Sequence, residues 1–210
     1  MGTTFLELTN KVIRKLNQVE LTSANFSSAT GFQALAKDLV QEAIDDINQA
    51  VTQWPFNHST GTITTVSGTQ TYSLASDNKV TDWKTFYLNE DASLEVSAKP
   101  LSVIEYLEWH NRLRANDQLA TAGSVNLPSQ IYRTRDLKIG VTPIPDRAYT
   151  ITYEYWKNPD RLSSATSTTL IPKEYDRVIV AFAMQGALVT ALFFAVVILQ
   201  SFSGLLIQFF

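Results

Sequence analysis

The sequence predicts an α+β fold in which a helical bundle carries an inserted antiparallel β-rich module. Apolar residues recur with helical period over residues 5–19 and 32–54, and with a period of two from Gly61 onward. The 17 basic and 20 acidic residues all lie at or before Arg177. We assign residues 1–57 and 170–210 to the bundle, 58–169 to the module, which includes one short helix, and 178–210 to an uncharged apolar segment.

Two helices are predicted before the module. The first covers residues 4–19, where Thr4 and Glu7 form a capping-box pattern and the apolar residues share one stripe. The second covers residues 32–54 and ends before Pro55, because proline disfavours helix at the residue that precedes it. Each helix has one apolar stripe, so we expect the two helices to pack against each other.

The module is predicted from alternating residues and turn signals. Ser67-Gly68 indicates a hairpin between residues 62–66 and 69–74. Further strands are predicted in this order: residues 80–88, 94–97, 130–133, 137–141 and 149–156. Ser102 and Glu105 repeat the capping-box spacing, which predicts a short helix that extends to about Arg112.

The C-terminal segment leaves three interpretations open. Pro172 precedes Lys173-Glu174-Tyr175, which predicts the start of a helix that continues into the uncharged residues. Residues 178–210 are long enough to span a membrane, with Lys173 and Arg177 on the cytoplasmic side. Alternatively, the segment is buried among neighbouring subunits, or it is an ending produced by a shifted reading frame.

No catalytic constellation is predicted. The chain has no Cys, no HExxH, no G-x-S-x-G and no glycine-rich phosphate loop. Asp45 and Asp46 point about 100° apart on a helix, so they belong to a solvated face. His58 is expected to cap or to form a hydrogen bond, and His110 to lie on the surface. We therefore predict no catalytic residue, no cofactor and no metal ligand, and a carboxylate-based hydrolase is the weakest interpretation.

Aromatic residues and the apolar segment supply the predicted contact residues. Many aromatic residues fall in the β module, and the alternation along residues 153–156 predicts that one pair faces outward. The net charge of −3 and the lack of a basic tract argue against strong static binding to nucleic acid. The residues predicted to contact partners are Tyr153, Tyr155, Trp156, Ile179, Phe182, Leu192 and Phe193.

Several stretches in a fixed order resemble the head-to-tail adaptor proteins of tailed phages, of the tail tubular protein A type. The similarity covers about residues 4–180 and rests on eight stretches. They are FLEL (5–8), VIRKLN (12–17), AIDDIN (43–48), WPF (54–56), GTQTY (68–72), YRT (132–134), YEYW (153–156) and IP (171–172).

The resemblance implies a structural virion protein without catalytic activity. It implies a homo-oligomeric ring of about twelve copies in the neck or tail, assembled in the host cytoplasm. The ring would join the portal protein to a tail nozzle or tube protein and surround passing double-stranded DNA. Such adaptors continue after the Ile-Pro stretch with an amphipathic helix and a charged ending, whereas this chain carries no charge after Arg177. The alternative function is a membrane-anchored protein with a soluble α+β body.

Overall fold

The computed structural model describes residues 2–89, 99–114 and 125–188. The chain forms two compact units. One unit contains the described residues 2–52 and 159–188 and is mainly helical, and the other is Gln53–Asn158 and contains the two sheets. The predicted α+β class is confirmed.

The first helix, α1, is Phe5–Lys15. The Thr4 side chain accepts a hydrogen bond from the Glu7 amide at 3.3 Å, as the capping-box pattern predicts. The helix ends earlier than the predicted residue 19, because Asn17 adopts the left-handed conformation (φ 53°) that terminates helices. Its buried face consists of Phe5, Leu8, Thr9, Val12 and Ile13.

Two further helices complete the helical unit. Helix α2 is Gly31–Ala50, and it ends before the predicted residue 54 because Val51 is already extended. After Pro172, a 3-10 turn at Lys173–Tyr175 leads into a helix over residues 176–188, which is α4 in chain order. The predicted start at Pro172 is confirmed.

A polar return segment ties α4 to the start of the chain. The Phe5 amide donates to the Ser167 carbonyl at 2.8 Å, and the Thr169 amide donates to the Thr3 carbonyl at 3.3 Å. Carbonyl oxygens of this segment thereby accept hydrogen bonds from amides at the beginning of α1, which have no acceptor inside the helix.

The β unit contains two four-stranded sheets. Their orders are β1-β8-β3-β4 and β2-β7-β6-β5. Pairing is antiparallel except between β5 and β6, which are parallel, and the sequence did not predict this parallel pair. The strands are β1 (His58–Thr64), β2 (Thr71–Tyr72), β3 (Asn78–Asn89), β4 (Lys99–Pro100), β5 (Ser102–Ile104), β6 (Gln130–Arg133), β7 (Ile139–Thr142) and β8 (Thr150–Lys157).

The predicted hairpin between residues 62–66 and 69–74 is wrong. The turn exists, because the Thr69 amide donates to the Val66 carbonyl at 3.0 Å. However, β1 pairs with β8 and β2 pairs with β7, so the two strands beside the turn belong to different sheets. A turn signal reports local chain reversal, whereas strand partners are chosen by nonlocal packing.

The predicted capping box at Ser102 and Glu105 is also wrong. Ser102 is the first residue of strand β5, and its register partner is Gln130 on β6. No side chain caps the helix that follows. That helix, α3, is Tyr106–Glu108 and continues as a π-helix at Trp109–Leu113. The predicted helix is correct from Tyr106 onward, but its first residues, Ser102 to Ile104, pair as a strand.

The core of the β unit draws apolar side chains from both sheets. Phe86 and Ile151 come from the first sheet, and Ile131 and Val141 come from the second. All four side chains are fully buried, so the core lies between the two sheets.

Two predictions fall on residues that the structure does not describe. The strand at residues 94–97 lies outside the described residues, and so does the uncharged segment beyond residue 188. Among residues 2–89, 99–114 and 125–188, no helix has the length and apolar character needed to cross a membrane.

Candidate interaction surfaces

A buried carboxylate joins α1 to the start of α4. Asp176 Oδ2 accepts hydrogen bonds from Thr3 Oγ1 at 2.7 Å and from Lys11 Nζ at 2.6 Å. Asp176 is buried, and its second carboxylate oxygen has no hydrogen-bond partner among the described residues. A carboxylate at the first turn of a helix also interacts favourably with the helix dipole. This network therefore fixes α4 against α1.

The acidic neighbours of Lys11 stabilise its protonated, charged form. Burial lowers the pKa of Lys11, but the hydrogen bond and the charge of Asp176, together with Glu7, outweigh it. The pKa of Lys11 therefore lies above its ordinary value. Glu7 Oε1 lies 3.5 Å from Lys11 Nζ and 3.9 Å from Lys173 Nζ, so the ion pairs extend across the same junction.

Helix α4 carries exposed apolar residues beside its buried face. Ile179 and Ala183 point inward and are fully buried. Val178 and Phe182 lie on the outer face and are 40% and 47% exposed. A helix of a soluble protein normally presents polar residues to water on its outer face. This outer face is therefore a candidate contact surface.

A basic hollow lies on one side of α4. It is an open hollow of about 570 Å³, and Val180 is its apolar lining residue. Glu174 and Asp176 also line it. Five of the chain's basic residues surround this hollow: Lys11, Arg14, Lys15, Lys173 and Arg177.

An acidic hollow lies between α2 and α4. It has a volume of about 370 Å³, and its charged residues are Glu42 and Asp46. Its apolar lining comes from Leu39, Ala43 and Phe182. Sequence reasoning gave the acidic residues no role beyond a solvated helix face. The adjacent Asp45 instead pairs with Arg161, at 3.2 Å between Oδ2 and Nη2.

Two of the predicted contact residues are core residues of the β unit. Tyr153 and Tyr155 are only 1% and 5% exposed. The Tyr153 ring stacks on Phe86 with 5.0 Å between ring centroids, and Tyr155 Oη donates to Asp77 Oδ1 at 2.9 Å. Burial raises the pKa of both tyrosine hydroxyls. Both side chains therefore belong to the core of the β unit and not to its surface.

Trp156 lies on the other face of the same strand and is half-buried. It meets the ring of His58 edge to face, with 5.6 Å between centroids, and the two residues are register partners. His58 Nε2 lies 3.3 Å from Glu154 Oε2. His58 therefore has the hydrogen-bonding role that the sequence predicted, and together with Trp156 it forms a small surface cluster.

The remaining predicted contact residues are one buried residue, one exposed residue and two residues that the structure does not describe. Ile179 is fully buried against the helical unit, and Phe182 is exposed. Leu192 and Phe193 lie outside the described residues. Within the described ranges, no group of three or more His, Asp and Glu side chains is placed to hold a metal ion.

Over the described residues, the notable surfaces are a helix with an apolar outer face and two hollows of opposite charge. Surfaces of this kind are typical of proteins that assemble with other proteins. Comparison with protein-family models matches residues 3–196 to the SU10 adaptor protein family. The chain therefore belongs to the SU10 adaptor protein family, and the resemblance to phage head-to-tail adaptors is confirmed. A comparison with curated proteins finds no match.

Proposed function

We propose that this chain is a structural protein of the virion neck that forms a ring between the portal and the tail. The ring contains about twelve copies of the chain, the number that the resemblance implies, and double-stranded DNA passes through its centre. Its partners are the portal protein on one side and a tail nozzle or tube protein on the other. It acts by binding and positioning, without catalysis.

The observation that supports this proposal most directly is the apolar outer face of α4. Val178 and Phe182 expose apolar area beside a buried face that already satisfies the packing of the unit. Burying such area on association is favourable by about 25 cal/mol per Å². The exposed apolar residues of α4 are best explained if other chains cover them.

Each unit has a role in the proposal. The helical unit, which contains α1, α2 and α4, forms the body of the ring. The β unit contacts neighbouring copies and the tail, with Trp156 and His58 on its surface. The net charge of −3 supports passage of DNA, because a channel without strong positive charge binds the phosphate backbone weakly.

The test is co-sedimentation of the full chain with the portal protein. We expect the chain to move with the portal in a gradient and to remain bound at a fixed ratio. Phe182→Asp places a charge on the outer face of α4 and should reduce the bound fraction by about tenfold or more. Val66→Asp is the control, because Val66 is also an exposed apolar residue but lies beside a turn of the β unit.

A chain that never moves with the portal and stays monomeric would contradict the proposed function. If Phe182→Asp binds the portal with the same affinity as the parent chain does, the outer face of α4 would no longer support the proposed function.

A further inference from the structure

The acidic and basic hollows lie on opposite sides of α4. An α-helix turns about 100° per residue, so Val180, which lines the basic hollow, and Phe182, which lines the acidic hollow, point about 160° apart. By the same geometry, Arg177 and Gly186 point about 180° apart. One helix therefore carries two hollows of opposite charge that cannot meet within a single copy.

Each hollow contains charges that its own unit does not neutralise. In the basic hollow, Lys11 is paired with Asp176, and Arg14 lies 3.4 Å from Glu20. Lys15 and Arg177 are exposed and form no ion pair with the described residues. In the acidic hollow, Glu42 and Asp46 are likewise exposed and form no ion pair within the described part of the chain.

We infer that the surface around the basic hollow of one copy packs against the surface around the acidic hollow of the next copy. In this contact Lys15 and Arg177 face Glu42 and Asp46. This inference rests on the proposed ring and names the surfaces that close it. Two different surfaces that complement each other give a head-to-tail contact, which closes into a ring when the rotation between copies allows it.

The second copy is favoured over nucleic acid as the occupant of the basic hollow. Glu174 and Asp176 line the same hollow and would repel a phosphate backbone. The acidic hollow presents the complementary charge, the carboxylates of Glu42 and Asp46.

Charge reversal of one hollow at a time provides the test, with assembly of the full chain measured by sedimentation alone and with the portal protein. In K15E/R177E both hollows are acidic, and in E42K/D46K both are basic. We expect each variant alone to need about tenfold or more higher concentration to assemble, because like charges then face each other. The control K84E/R135E reverses two exposed positive charges of the β unit and should assemble as the parent chain does.

The decisive sample is the equimolar mixture of the two variants. Each contact in an alternating assembly again joins an acidic hollow to a basic hollow, so the mixture should regain assembly that neither variant shows alone. Rescue by mixing also shows that both variants are folded. Raising the salt from about 0.1 M to about 0.5 M should weaken assembly of the parent chain, because it screens exposed charges.

Three results would overturn the inference. The first is normal assembly of either variant alone, which would leave the proposed ring intact. The second is a mixture that fails to assemble. The third is loss of binding to duplex DNA by K15E/R177E with assembly unchanged, which would assign the basic hollow to nucleic acid. A parent chain that never assembles, with or without the portal, would contradict the proposed function itself.

Discussion

The ring of Tyr153 on β8 lies directly over Gly61, its register partner on β1. A Cβ atom at position 61 would lie 2.3 Å from Cζ of that ring. Tyr153 Oη accepts a hydrogen bond from the Ala75 amide at 2.8 Å, which fixes the ring in this position. The second sheet repeats the arrangement, with Tyr132 over its register partner Gly140. Each sheet thus fills the space above a strand glycine with a tyrosine ring.

This contact predicts that Gly61→Ala destabilises the β unit. The added methyl group requires the Tyr153 ring to move, and the ring is held by Phe86 and by the Ala75 amide. We expect a loss of about 1–3 kcal/mol in the free energy of unfolding, the usual cost of overpacking a core. Denaturant unfolding followed by tryptophan fluorescence measures the loss.

Thr62→Ala is the control for this prediction, because Thr62 lies next to Gly61 on the same strand but is exposed. We expect it to change the free energy of unfolding by about 0.5 kcal/mol or less. Equal stability of Gly61→Ala and the parent chain would show that the ring does not need the glycine.

The Asp176 network predicts a large effect of removing its carboxylate. Asp176→Ala leaves Thr3 and Lys11 without their shared acceptor. We expect the free energy of unfolding of the helical unit to fall by about 2–3 kcal/mol, since both lost hydrogen bonds involve a charged group. Glu174→Ala is the control, because this carboxylate is two residues away and exposed. An equal effect of both substitutions, measured by denaturant unfolding, would contradict the account.

The pH dependence of stability follows from Lys11. Its pKa in the folded protein lies above the value of about 10.4 expected for the unfolded chain, so the folded state holds the proton more tightly. The resulting stabilisation is fully present below about pH 10 and is lost as the pH rises through the raised pKa. The stability difference between the parent chain and Lys11→Met should therefore be constant from about pH 7 to 9 and shrink above about pH 10.5. A difference that grows with pH in this range would have the wrong sign.

The turn between β6 and β7 predicts an unusually acidic carboxyl group. Hydrogen bonds from Thr134 and Lys138 lower the pKa of Asp136 to about 2. Lys138 Nζ lies 2.9 Å from Asp136 Oδ2. Carboxyl NMR titration should show Asp136 charged down to about pH 2, and Thr134→Ala should raise this pKa toward its ordinary value.

Arg135→Ala is the control for the titration. The Arg135 guanidinium lies over the Tyr106 ring, at 5.3 Å from its centroid, and is not a cause of the shift at Asp136. A change in the Asp136 pKa as large as that of Thr134→Ala would show that the whole turn, and not the Thr134 hydroxyl, holds the carboxylate.

The sequence located the helices and strands β3, β6, β7 and β8, because their positions along the chain depend on short-range signals. Helix α1 was found from its apolar stripe and from Thr4, and its true end depended on the left-handed Asn17, which the stripe does not reveal. Strands β6 and β7 pair with each other across a short turn, whereas β8 pairs with the distant strands β1 and β3. Apolar and turn residues located these strands along the chain, but they did not identify the partners of β8.

Long-range pairing and side-chain direction were not predictable in the same way. The alternation along β8 shows that Tyr153 and Tyr155 share a face, but not that this face is the inner one. Ser102 obeys a capping pattern, yet its backbone pairs with Gln130, which is distant in sequence. The two charged hollows arise from residues of α1, α2 and α4, so only the folded chain brings them together.

Electron microscopy of the full chain bound to the portal protein tests the central claim most directly. We expect class averages with a single closed ring of this chain, coaxial with the portal, about twelvefold, and with the helical unit in the ring body. Single copies scattered on the portal, or particles of the portal alone beside monomeric chain, would contradict the claim that this protein is a ring-forming adaptor.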